Sequence, residues 1–184
     1  MIGLFFEVEP NPGHEDRYFD TAAKLRPALD ENGGVLFIDR YKSLDRPERI
    51  LSYQHWSDEA HLVKWRENTQ HQGAQRAGRT VHFADYRIRV AQQITPDTAL
   101  TDQPSNLVVV VESTNRVNSR EGGEIFDSVY RDAQFVTLYD VAVHDRALEI
   151  MDAYENTAGV TAIHVFTVLR DYAMKDRAEA PQSW

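Results

Sequence analysis

Three side chains on one predicted helix have the types and the spacing to surround a flat small molecule. His61, Trp65 and Asn68 recur at positions i, i+4 and i+7, so they share one face of an α-helix. An indole stacks on planar rings, while an imidazole and an amide can bond to oxygens at the ring edge. Leu62 beside them is apolar, which indicates that this face is partly buried. The pattern predicts a small-molecule site around Trp65.

Two histidines near this face are candidates for a general base. The imidazole of His61 or His71 ionises near neutral pH and could deprotonate a phenol, leaving an electron-rich phenolate that passes an electron to O₂. Asn68 or Arg87 could stabilise the developing anion. Structural alternatives remain open for all of these residues. They are core packing for Trp65, surface imidazoles for the histidines, a helix cap for Asn68, and ion pairs with Asp85 or with acids of the second half for Arg87.

The elements that must position these residues follow the order β-α-β-β-α-β in the first half of the chain. Apolar and aromatic runs predict strands at 2–9, 35–42, 49–56 and 80–92. Periodic apolar positions predict one helix that stops at Asn32-Gly33-Gly34, and a second from Ser57 to about Asn68 that restarts through Ala77. This order is the ferredoxin-like unit, with a four-stranded antiparallel sheet and both helices on one face.

The second half shows a related but shorter pattern. Residues 93–105 hold two prolines and many small polar residues and are typical of a linker. Strands are predicted at 106–112, 134–141 and 160–170, with a helix at 144–156 and a weaker one at 118–131 that Gly122-Gly123 interrupts. The fold class is therefore α+β, with two tandem ferredoxin-like units at 1–92 and 106–184. The second unit is degenerate, with one strand missing or too short to detect.

Composition narrows the possible functions. Apolar residues make up 42% and charged residues 27%, and the net charge of −9 argues against a nucleic-acid partner. The chain has no cysteine, which excludes disulfides, thiolate catalysis and Fe–S clusters. No apolar run approaches the roughly 18 residues of a membrane span, and the N-terminus lacks the basic region of a signal peptide. We therefore expect a cytoplasmic protein with no membrane partner.

A set of residues spread over 1–92 carries a further signal. In chain order the set is Phe6-Glu7-Val8, Pro10, Gly13, Tyr18, Ala22-Ala23, Leu25-Arg26-Pro27, Leu51-Ser52, Trp56, Trp65-Arg66, His71, Ala74-Gln75, Gly78-Arg79, Phe83, Asp85-Tyr86-Arg87 and Arg89-Val90. As a set it resembles the antibiotic biosynthesis monooxygenase (ABM) domain family of the dimeric α/β-barrel superfamily. The tail from Leu169 to Ala178 is similar to the segment that follows the last strand in single-domain members. The second unit therefore looks inserted, or duplicated, before the usual ending of the family.

The resemblance implies both a fold and an activity. Members pair two antiparallel sheets into a barrel, and a tandem chain can supply both sheets itself; further pairing into a homodimer stays open. The implied function is that of a cofactor-independent monooxygenase, which oxidises a polycyclic aromatic or phenolic small molecule with O₂ and needs no metal or flavin. One alternative is a non-enzymatic small-molecule-binding or structural barrel. Another is a haem-binding or haem-degrading relative.

The resemblance also implies which residues form the site. Trp65 and His71 match two site positions of the quinone-forming members, while His61 stands where that pattern has an asparagine. Gln75 aligns closest to the axial histidine of the haem degraders, and glutamine is a poor iron ligand.

Overall fold

Each half of the chain contributes four strands to one closed antiparallel barrel. The structure, a computed structural model, describes residues 1–94 and 106–181. The first half forms β1 (Ile2–Pro10), α1 (Glu15–Asn32), β2 (Val35–Ser43), β3 (Ile50–Trp56), α2 (Glu59–Glu67), α3 (Thr69–Ala77), a π-helical turn (Gly78–His82) and β4 (Phe83–Gln93). The second half forms β5 (Leu107–Ser113), β6 (Gly123–Ser128), β7 (Phe135–Val141), α4 (His144–Tyr154) and β8 (Val160–Ala173). The predicted linker beyond Ile94 lies outside the described residues.

The strand order confirms the predicted barrel and shows that it closes within one chain. Around the barrel the order is β1-β3-β2-β6-β7-β5-β8-β4, and β4 pairs with β1. The two halves meet at a long β4–β8 ladder and at a short β2–β6 ladder, which runs from Tyr41 to Ser43. Each strand of the barrel pairs with two others, so the sheet closes without a second copy of the chain. The closure is weakest at β2, whose ladder with β6 covers only Tyr41 to Ser43.

The two faces of the sheet have different partners because side chains alternate along each strand. On β1, Phe5 and Glu7 point into the barrel, and Leu4 and Phe6 point outward to the helices of the first half. The interior is closely packed with aromatic and aliphatic side chains from both halves, including Phe5, Leu51, Tyr53, Phe126, Val136 and Phe166. The barrel interior is thus the shared core, and helices α1–α3 cover the outer face of the first half.

The second half departs from its predicted order. The prediction of a helix at 118–131 was wrong, because Gly123–Ser128 forms strand β6, which pairs with β7 and β2. Ile125 and Phe126 are both buried although adjacent, which suits a strand with two covered faces. Gly122 stands at φ +82° just before the strand, a conformation that favours glycine. The second half therefore has all four strands and lacks its first helix.

Only α4 covers the outer face of the second half among the described elements. Its Ala147, Ile150 and Tyr154 pack directly on Leu107 and Val109 of β5. In the second half, this apolar cluster fills the space between the helix and the sheet. In residues 1–94 and 106–181, no helix has both the length and the hydrophobicity to cross a bilayer.

A buried histidine inside the barrel makes stability depend on pH. Burial lowers the pKa of His55 to about 4, helped by His164 nearby and opposed by Glu112. The His55 Nε2 atom lies 2.5 Å from the Tyr53 hydroxyl oxygen. The unfolded chain therefore takes up a proton on His55 as pH falls below its ordinary pKa of 6.5, whereas the folded chain does so only near pH 4. Stability is present above pH 6.5 and is lost towards pH 4.

We expect this one group to remove on the order of 3 kcal/mol of stability between pH 7 and pH 4. Urea unfolding at several pH values measures the change. The His55→Gln variant should lose correspondingly less over the same range, whereas His144→Gln, at the start of α4, should follow the wild-type curve. If the free energy of unfolding of His55→Gln fell with pH as steeply as that of the wild type, the assignment of this effect to His55 would be contradicted.

Candidate active site

A cavity of about 210 Å³ lies between helices α1–α3 and the outer face of the first-half sheet. Its walls are mostly apolar and aromatic, and its polar groups come from several elements. Its lining includes Phe6, Tyr18, Arg40, Trp65, His71, Gln75, Tyr86, Tyr172 and Arg177. A concave, largely apolar space with a few polar groups is the usual form of a small-molecule site.

Trp65 and His71 form a stacked pair in the cavity wall. Their ring centroids lie 4.3 Å apart with an interplanar angle of 14°. On one continuous helix, residues six positions apart point about 120° away from each other, because each residue turns the helix by about 100°. Asn68 breaks the helix with an extended backbone, caps α3 and lets His71 fold back over Trp65. The break between α2 and α3 therefore creates the stack.

The hydrogen bonds of His71 define its proton positions. Its Nδ1 lies 3.0 Å from the Trp65 carbonyl oxygen, which can only accept a hydrogen bond, so Nδ1 carries the proton. The Gln75 Nε2 lies 3.1 Å from the same nitrogen. Because two donors cannot bond to each other, this proton position requires Gln75 to turn its amide oxygen towards His71. Burial lowers the pKa of His71 to about 4, against the opposing hydrogen bond to Trp65. At neutral pH the imidazole is uncharged, and Nε2 holds a lone pair that can accept a proton.

The second half of the chain completes the cavity. Tyr172, from the end of β8, and Arg177, from the following segment, both line it. The Arg177 Nη1 donates to the Tyr86 hydroxyl oxygen at 2.7 Å. Burial raises the pKa of Tyr172 above its ordinary value, so this phenol stays protonated and can donate a hydrogen bond. The tail after β8 is thus part of the site as well as of the fold.

Three of the five sequence-predicted residues lie outside the cavity lining, and two of them, His61 and Asn68, belong to the helices beside it. His61 is partly exposed on the first turn of α2, where its Nδ1 lies 2.9 Å from Asp58. Gly34 packs so closely on it that a Cβ there would stand 2.3 Å from the His61 Cγ. Asn68 accepts hydrogen bonds from the backbone of Gln70 and His71 and acts as the cap of α3. The shared helix face predicted for His61, Trp65 and Asn68 therefore brings only Trp65 to the cavity.

Comparisons with known proteins concern mainly the first half of the chain. The family model described as antibiotic biosynthesis monooxygenase matches residues 1–77. Residues 1–77 form an antibiotic biosynthesis monooxygenase domain. Over 92 residues the chain is 44% identical to a protein named jasmonate monooxygenase ABM from Pyricularia oryzae (strain 70-15), an alignment that covers 50% of this chain and 43% of that protein.

Two further similarities are more distant. Over 75 residues the chain is 29% identical to the uncharacterized protein YqjZ of Bacillus subtilis (strain 168), covering 41% of this chain and 64% of that protein. The matched segment therefore spans less than two thirds of either relative. A solved structure of aldoxime dehydratase aligns with 91% of this chain and 80% of its own, at 7% identity and a TM-score of 0.49.

Arg87, the fifth residue that the sequence proposed for the site, lies on the other face of the first-half sheet, which points into the barrel. Its guanidinium contacts Asp140 at 2.6 Å and Asp171 at 2.6 Å. Both acids belong to the second half, as the ion-pair alternative expected. Arg87 lines a separate charged cavity of about 630 Å³ at one mouth of the barrel.

Sequence reasoning missed several cavity residues in and beyond the ABM domain. Arg40 on β2 and Gln54 on β3 point to the helix side of the sheet, and both line the cavity. Strand alternation contains the signal for Arg40, since Ile38 and Arg40 share the face that should be apolar. For Tyr172 and Arg177 the signal was the resemblance of the tail to the family ending, which left their position open.

Proposed function

We propose that this chain is a monooxygenase whose substrate is a compact, ring-bearing small molecule held beside Trp65 and His71. The observation that supports this proposal most directly is the open aromatic cavity, in which the neutral imidazole of His71 stacks on the indole of Trp65. These two residues stand at the positions that the resemblance assigned to the site. The ABM domain and the relative named as a monooxygenase support the same activity.

The proposed chemistry needs no reductant when the substrate is a phenol that can become a quinone. Nε2 of His71 takes the phenolic proton, and the phenolate passes one electron to O₂. The two resulting radicals combine at a ring carbon, and the hydroperoxide formed there loses water to leave a carbonyl group. For α-naphthol the balance is naphthol plus O₂ giving naphthoquinone plus water. The substrate supplies all the electrons.

The size of the cavity favours a small substrate. Pockets for drug-sized ligands enclose roughly 300–1,000 Å³, and this one encloses about 210 Å³. One or two rings fit such a space better than an extended polycyclic skeleton. The aromatic side chains around it, among them Phe6, Tyr18 and Tyr86, suit planar rings.

The proposed function is tested by O₂ consumption with three substrates. α-Naphthol and an anthrone probe the quinone-forming reaction, which needs no reductant. Jasmonate cannot form a quinone, so it is assayed with and without NADPH as an added reductant; it is included because a 44%-identical relative is named for it. We expect enzyme-dependent O₂ uptake with at least one of them. In ¹⁸O₂ a quinone product should carry one labelled oxygen, with the other released as water.

A binding protein without activity is the competing outcome. It would bind these compounds, as Trp65 fluorescence would report, without consuming O₂ above the enzyme-free rate. That result with all three substrates would overturn the monooxygenase assignment and leave the cavity as a binding site.

A further inference from the structure

The charge of the cavity wall is one-sided. Among the lining residues in the described part of the chain, five are arginines and none is an aspartate or glutamate; the arginines are Arg17, Arg40, Arg66, Arg79 and Arg177. The chain as a whole carries a net charge of −9. A cleft lined by one sign of charge attracts ligands of the opposite sign. The charged side chains of the cavity wall are therefore all cationic, and one of them, Arg66, pairs with Glu67 outside the lining.

Of these five arginines, Arg40 gives the most information about the ligand. It is half-buried on β2 and its guanidinium carbon lies 5.8 Å from the centre of the Tyr18 ring. Its Nε is buried and has no hydrogen-bond partner. Within residues 1–94 and 106–181, no carboxylate forms an ion pair with it. The contact with Tyr18 is its charge-stabilising interaction in the wall.

The arginines at the barrel mouth, in contrast to Arg40, are paired with carboxylates. There Arg49 pairs with Glu7 and Glu9, and Arg89 pairs with Glu7 and Asp140. Buried charges are normally paired in this way, because desolvating an ion without a partner is costly. Arg40, which is half-buried, lacks such a carboxylate partner among the described residues at a place where a ligand can enter. A ligand that carries an anionic group would supply this partner.

We propose that the substrate of the cavity is an apolar ring compound that carries a carboxylate, and that Arg40 binds this group. The proposal rests on the proposed function for the identity of the cavity as a substrate site. A planar guanidinium pairs with a carboxylate through two parallel hydrogen bonds, so it fixes orientation as well as charge.

Arg40 and the stacked pair line the same cavity from different elements. Arg40 stands on β2 of the sheet, whereas Trp65 stands on α2 and His71 on α3. A substrate anchored at Arg40 would place its ring under the stacked pair of Trp65 and His71.

The test compares two ligands that differ only in charge. α-Naphthylacetate and its primary amide, α-naphthylacetamide, are titrated into the full-length protein by calorimetry at low ionic strength. A charge-assisted hydrogen bond predicts that the carboxylate binds about 10- to 100-fold more tightly than the amide. Arg40→Met should remove this preference while the affinity for the amide stays at the wild-type value, which also shows that the variant is folded. Arg26→Met, an exposed arginine of α1 that pairs with Asp30, should keep the preference.

Two results would overturn the inference. One is equal affinity of the wild type for acid and amide. The other is an Arg40→Met variant that keeps the preference, or that loses both ligands equally, since the latter would give Arg40 a structural role only. Neither reading depends on O₂ uptake, so a failed monooxygenase assay leaves this test intact. Conversely, turnover of neutral phenols without any charge preference would reject the carboxylate and retain the proposed function.

Discussion

Replacing His71 with alanine should reduce kcat for O₂-dependent oxidation of α-naphthol by about 10²-fold, the lower end of the range for a positioned general base, because a pKa of about 4 makes this imidazole a weak base. The variant loses Nε2, which takes the phenolic proton in the proposed reaction. It also loses the ring stacked 4.3 Å from Trp65, so some weakening of substrate binding is expected as a rise in KM. Steady-state O₂ uptake under saturating substrate separates the two effects.

The pH dependence of kcat is a more specific test of the general base than the size of the loss in kcat. Burial lowers the pKa of His71 to about 4, and only the neutral imidazole can accept a proton. Wild-type kcat should therefore be steady above this value and should fall as pH drops through about 4. The residual rate of His71→Ala should lack this acid limb, and added imidazole should restore part of the activity.

Two comparison variants complete this experiment. His144→Ala removes an imidazole from α4 in the second half and should leave the rate at its wild-type level. His61→Ala separates the two histidines that the sequence offered, because His61 pairs with Asp58 outside the cavity lining. A large loss in His61→Ala together with a normal His71→Ala would reverse the assignment of the base.

Much of the fold was predictable because strand alternation and helical periodicity are local signals. The element order of the first half, and the barrel implied by resemblance, agree with the structure. The strand at Gly123–Ser128 was missed because its six residues show no alternation, having Ile125 and Phe126 buried on opposite faces. Its identity depends on pairing with β2 and β7, and no local pattern contains that information.

The site was less predictable, for a related reason. Helical spacing grouped His61, Trp65 and Asn68 on one face, but Asn68 ends that helix and caps the next. The resemblance singled out Trp65 with His71, a pair that can stack only because the helix breaks between them. Tyr172 lies more than a hundred positions along the chain from Trp65, so its approach follows from barrel closure through the β4–β8 ladder.

A second substitution with a large expected effect lies inside the barrel. Glu7→Leu should destabilise the protein by about 3–5 kcal/mol, because it removes one partner of a buried ion pair. Glu7 is 5% exposed and Arg89 2% exposed. Glu7 also receives a hydrogen bond from the Arg49 Nη1 at 2.7 Å. Burial lowers the pKa of Arg89 below its ordinary value, and Glu7 is the main group that opposes this effect.

Urea unfolding at pH 7 measures the loss, with Glu48→Leu as the control. Glu48 is exposed in the turn between β2 and β3, and its replacement should change the free energy of unfolding by no more than about 0.5 kcal/mol. A Glu7→Leu variant as stable as this control would show that the barrel charges contribute little.

The double variant Glu7→Leu/Arg89→Met tests why the single change is costly. If the cost comes from a buried cation that keeps only the half-exposed Asp140 as a partner, removing that cation should recover part of the lost stability, since buried pairs replaced by apolar residues are often close to neutral. Arg49 keeps Glu9, and Asp140 keeps Arg87, so neither remaining partner is left alone. Because Arg89 joins Glu7 of β1 to Asp140 of β7, its pairing links the two halves across the barrel. The wild type should therefore unfold in one transition, and Glu7→Leu should weaken both halves together.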